Sequence, residues 1–69
     1  MLQMKKWVLA FQIEYLWKRI QCNRKKMELL VQQRVPYSSP ELVRLDEKNW
    51  EFGSRARQME KLWMQMPSK

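Results

Sequence analysis

Two seams of apolar residues run through this chain, and both advance by alternating steps of three and four. The first reads Lys6, Leu9, Ile13, Leu16, Ile20, Asn23, Met27, Leu30 and Arg34, with charged residues at its two ends. The second reads Leu42, Leu45, Asn49, Phe52, Ala56, Met59, Trp63 and Met66. That spacing keeps one side of an α-helix facing a partner helix. Glycine occurs once, at Gly53, and the prolines stand at 36, 40 and 67, which leaves two long segments free of breakers. The predicted fold is all-α, a two-helix antiparallel hairpin in a single domain over 1–69. Its helices are expected at about 5–35 and 40–66, joined by a turn at 36–39.

Pro36 is expected to end the first helix, because it disfavours a helical Val35 and has no amide hydrogen. Ser39, Pro40 and Glu41 read as an N-cap, a proline at the first helical position and an acid near the positive helix end. Ser38 with Glu41 reads equally as a capping box. Gly53 is compatible with a kink or with a straight helix carrying one weak turn. Folding about the turn brings Leu30 towards Leu45, Ile20 towards Ala56 and Ile13 towards Trp63. Each seam holds one asparagine, Asn23 and Asn49. They either lie half-wet at the seam edge or fix register and oligomeric state by demanding a hydrogen-bond partner.

The first seam widens near its start, where Val8, Phe11, Tyr15 and Trp17 add apolar surface that one neighbouring helix does not cover. Self-association into a larger bundle, or a partner protein, is therefore expected. Nine of the eleven residues from Trp7 to Trp17 are apolar or aromatic. That run is too short to span a bilayer, and Lys18 and Arg19 follow it at once. No small-residue cleavage site follows, so a signal peptide is not expected. Peripheral membrane contact, helped by the basic flank, is a lesser alternative.

Composition narrows the chemistry. The 69 residues contain no histidine and a single cysteine, Cys22, which removes the usual zinc sets, catalytic triads and an intrachain disulfide. No metal or cofactor is expected, and the free thiol fits a reducing compartment and a cytoplasmic location. Glu47 and Glu51 share a helix face, but nothing in the sequence raises a carboxyl pKa or holds a water there, so no catalytic residue is assigned. At 45% apolar content, with four tryptophans and six methionines, the chain is too hydrophobic to be disordered.

Net charge is +7 and uneven. Residues 1–35 hold eight Lys or Arg against two Glu, while residues 36–69 hold six against five acids. Lys18, Arg19, Arg24, Lys25 and Lys26 form a candidate basic patch for nucleic acid, anionic lipid or an acidic protein. The plainer reading is a solvated face that keeps an apolar protein soluble. No zinc-finger spacing, tight helix-turn-helix or aromatic strand motif adds to the nucleic-acid case.

Trp63 lies on the second seam and is expected in the core. Trp7, Trp17 and Trp50 fall beside or outside the seams, where a large flat side chain anchors binding. The candidate partner-binding residues are thus Trp7, Phe11, Tyr15, Trp17 and Trp50, with Trp7, Phe11 and Tyr15 the preferred contact. Coverage of the hairpin's open end by the chain's own tail is the rival explanation.

The stretch Ser39-Pro40-Glu41-Leu42-Val43-Arg44-Leu45 follows a basic and apolar helix that contains Ile13-Glu14-Tyr15-Leu16. Together they resemble the turn and second-helix start of the small sporulation-regulating aspartyl-phosphate phosphatases of spore-forming bacteria. That resemblance implies a helical hairpin and a phosphorylated response regulator as partner. The family pattern continues with serine, glutamine, a variable residue, leucine and aspartate, where this chain has Asp46, Glu47, Lys48, Asn49 and Trp50. Trp50 stands at the place of the family's key aspartate, so the resemblance carries no catalytic residue across.

The leading expectation is a small non-enzymatic interaction or regulatory module that binds a partner protein through an apolar, aromatic helical face. The alternatives are a basic nucleic-acid-binding protein and an aspartyl-phosphate phosphatase acting on a response regulator.

Overall fold

The first seam becomes a helix, α1, over Lys6–Gln32, and the second becomes α2 over Pro40–Gln65. The computed structural model describes residues 5–67; the ends of the expected 1–69 unit, residues 1–4 and 68–69, lie outside the described residues. The two helices pack side by side as an antiparallel hairpin about 50 × 17 × 15 Å. Its radius of gyration is 15.7 Å, against about 11 Å for a compact domain of this length.

The turn departs from expectation at one end. α1 stops three residues short of Val35, because Arg34 adopts the left-handed conformation with φ 64°. The Arg34 amide donates to the Val31 carbonyl at 2.9 Å and the Val35 amide to the Leu30 carbonyl at 3.0 Å. Those two bonds form a Schellman cap, which satisfies carbonyls that the last helical turn would otherwise leave open. Arg34 therefore leaves the seam, and the connection runs from 33 to 39 instead of 36 to 39. At the other end Ser39 is the N-cap. Its Oγ accepts from the Leu42 amide at 3.4 Å, with Pro40 opening the helix and Glu41 in the first turn.

The early stop of α1 makes Pro36 the pivot of the hairpin. Asn23 and Asn49 are equidistant from it along the chain, and so are Lys6 and Met66; both pairs meet. Leu30 and Leu45 line the same hollow at the turn end, as expected. Ile20 lies by Asn49 and Gly53 on α2, and Ile20 and Ala56 are both buried. The Asn49 Nδ2 donates to the Ile20 carbonyl at 3.4 Å, and Ile20 Cδ1 lies 3.9 Å from where a β-carbon on Gly53 would stand. Gly53 does not interrupt α2.

Leu9, Leu16, Ile20, Leu42 and Ala56 are buried, all from the two seams. Asn23 joins them at 5% exposure, and its Nδ2 donates to Asn49 Oδ1 at 2.9 Å. The half-wet reading is thereby overturned for Asn23, whose amide nitrogen finds an acceptor across the interface, where an unpaired buried amide would cost about 1–3 kcal/mol. Trp63 also differs from expectation. At 38% exposure it caps the seam's end, with Lys6 Nζ 4.1 Å from its ring centre. Lys6 begins α1, where a positive charge opposes the helix dipole, yet its Nζ reaches the Met66 carbonyl at the end of α2 at 3.4 Å. A cation there favours the carboxyl end of the partner helix.

Candidate functional site

Two helices leave much of each other uncovered. The chain exposes 6398 Å² of surface, against about 4,700 Å² for a compact monomer of this mass. Among the described residues four large apolar side chains are buried, each contributing about 1.5–3 kcal/mol. Other seam residues, Ile13, Leu30 and Phe52 among them, are half-buried, while Trp7, Phe11, Tyr15, Leu29, Trp50 and Met64 are exposed.

The candidate aromatic residues separate into two groups. Trp7, Phe11 and Tyr15, spaced four apart, stand on the face of α1 turned away from α2 and are 64%, 69% and 58% exposed. Trp17 and Trp50 do not join them. They come together from different helices along an open groove of about 620 Å³ on one flank of the hairpin. Trp17 is half-buried there, while Trp50 is 75% exposed. Ile20, Met27 and Gly53 also line this groove, and Gly53 adds no side chain to fill it.

The candidate basic patch is dispersed in the same way. Arg24 lines the groove beside the two tryptophans, whereas Lys26 borders a second hollow of about 680 Å³ near the turn. The Arg19 guanidinium lies 5.8 Å from the Phe52 ring centre, away from the groove. Lys18 pairs with Glu14 at 3.3 Å, an exposed i,i+4 pair contributing about 0.3–0.5 kcal/mol. Lys25 is exposed. Consecutive residues on a helix point about 100° apart, so Arg24, Lys25 and Lys26 cannot share one face.

The groove has cations that the count along α1 did not include. Arg57 and Lys61 line it from α2 together with Arg24, against the single acid Asp46. Trp50, Gly53, Arg57 and Lys61 follow one another at steps of three, four and four, so this stripe was present in the helical spacing. The hollow near the turn has a different character: Lys26 and Arg44 share it with Glu41, around Leu29, Leu30, Pro40 and Leu45.

Among the described residues no group of three or more His, Cys, Asp or Glu is placed to hold a metal ion. Glu47 and Glu51 are both exposed. Cys22 is an exposed free thiol. No helix among the described residues is long and apolar enough to cross a membrane. No family model matches the sequence, and neither a curated protein nor a solved structure matches it.

Proposed function

We propose that this chain is a small interaction module that works by binding a partner protein, with the Trp7, Phe11 and Tyr15 face of α1 as its contact surface. The observation that supports this most strongly is the exposure of all three aromatic side chains on one face of a helix whose opposite face is already occupied by α2. Aromatic residues at such spacing form the anchors of helix-mediated protein contacts, since each buries a large area with few rotatable bonds. The slender hairpin and its small buried set support the same reading, because a chain with so little interior gains stability when a partner covers its apolar side.

The dispersal of Lys18, Arg19, Arg24, Lys25 and Lys26 around α1 favours a protein partner over a nucleic acid, which is best met by cations on one face. A phosphatase reading lacks its carboxylate, since Trp50 occupies the corresponding place. A second copy of the chain is the partner to be distinguished first, since self-association was expected from the same apolar surface.

A photo-reactive amino acid placed at Phe11 tests this reading in the cells that make the protein. The expected result is one discrete protein adduct, identified by mass spectrometry, that disappears with Trp7→Ala and Tyr15→Ala. An adduct to the chain itself would make it a homo-oligomer. Adducts to nucleic acid or lipid alone would overturn the proposal.

A further inference from the structure

The groove on the other flank has a chemistry of its own. Most of its lining is apolar, from Ile20 and Met27 with Trp17 and Trp50 along it from opposite helices and the side-chain-free Gly53, and Asn49, Ser54 and Gln58 add uncharged polar groups. Arg24, Arg57 and Lys61 supply three cations at its walls, and Asp46 supplies one acid. A groove between two helices with a mostly apolar lining is shaped to receive a third helix along an apolar stripe.

We propose that this groove docks an acidic amphipathic helix of a partner protein. Its apolar stripe lies on Ile20, Met27 and Gly53 between the two tryptophans, and its flanking carboxylates meet Arg24, Arg57 and Lys61. Charge selects this occupant. A second copy presenting the same groove would set three cations against three, a like-charge contact that opposes docking. A nucleic-acid strand would match the cations, but its phosphates would lie beside a mostly apolar lining and Asp46. An acidic helix matches the cations and the apolar lining together.

Gly53 provides the decisive variant. A β-carbon there meets nothing closer than Ile20 Cδ1 at 3.9 Å, so the first side-chain atom fits, and Gly53→Met is chosen to put a longer side chain at the groove. The purified full chain is titrated by fluorescence anisotropy with three labelled probes. One is a synthetic helix of 27 residues, the length of α1, with leucines at three-four spacing flanked by glutamates. The second replaces each glutamate by lysine, and the third is a single-stranded oligodeoxythymidine.

The acidic peptide is expected to bind at least about tenfold more tightly than the basic one, a difference equal to roughly 1.4 kcal/mol. Gly53→Met is expected to weaken it by about tenfold or more, the size of effect that losing one interface anchor produces. The paired substitution Arg57→Glu and Lys61→Glu reverses the preference between the peptides, and it decides the matter if Gly53→Met does not fold. Trp7→Ala, on the other face, leaves the affinity unchanged, so failure of the groove and failure of the Trp7 surface are separable. Equal affinity for the two peptides, or an affinity indifferent to both groove variants, overturns the proposal. Tighter binding of the oligonucleotide that is lost in the groove variants also overturns it and makes the groove a nucleic-acid site.

Discussion

Asn23 donates from Nδ2 to Asn49 Oδ1 at 2.9 Å, across the interface between the two helices and equidistant from the pivot at Pro36. Asn49 passes the bond on, donating to the Ile20 carbonyl at 3.4 Å. Among the described residues Asn23 is the one buried polar side chain, and its partner lies on the other helix. A one-turn slip of α2 along α1 would leave both amides unpaired, so the pair favours this register over its neighbours.

Asn23→Ala is therefore expected to destabilise the hairpin by about 1 kcal/mol, because the Asn49 Oδ1 loses its donor while its Nδ2 keeps the Ile20 carbonyl. Replacing both by leucine removes the unpaired group and restores stability, but it also removes the register preference. Urea melts of the single and double variants measure the first effect. Spin-label distances between α1 and α2 measure the second, as a broader distribution in the double variant.

Gly53→Ala is expected to stabilise the protein by about 1 kcal/mol, the difference in helix propensity between the two residues. The added methyl group is in ordinary contact distance of Ile20. For a chain of this length the melting temperature should rise by about 4–8 °C. A fall would show that the β-carbon is strained in the folded state.

Arg34→Gly is expected to stabilise the turn by about 0.5–1 kcal/mol, since Arg34 holds the left-handed conformation at φ 64° and glycine adopts it without a β-carbon clash. Thermal melts beside the wild type check this. Unchanged stability would mean that the Arg34 side chain contributes contacts equal to the backbone cost.

Ser39→Ala removes the cap of α2 and should cost about 0.5–1 kcal/mol, towards the low end for caps because its bond to the Leu42 amide is long at 3.4 Å. Ser38→Ala should cost less, since Ser39 and not Ser38 caps the helix. Equal losses in the two variants would point to a shared cap.

The seams were legible in the sequence because helix period is a one-dimensional signal. Leu9, Leu16, Ile20, Leu42 and Ala56 all lie at the expected steps of three and four. The end of α1 was not, because its cap uses Arg34 at a position that glycine would have marked, while Pro36 offered a more conspicuous stop. That difference of three residues lengthened the connection between the helices, which runs from 33 to 39. The groove was half legible. Trp17, Trp50 and Arg24 stand out in the sequence, but Arg57 and Lys61 do not, because the six basic residues over 36–69 are nearly balanced by five acids, whereas the groove's walls come from both helices. Which flanks meet depends on how the hairpin closes, and that is a property of the packed pair.

On the proposed function, Trp7, Phe11 and Tyr15 serve a partner and are not required by the hairpin itself. Far-UV circular dichroism through a thermal melt, on the triple alanine variant and the wild type at a concentration where both are monomeric, tests it most directly. The same helical signal is expected, with each exposed substitution shifting stability by no more than about 0.5 kcal/mol. Loss of the helical signal would contradict it, making the three aromatic residues part of the fold.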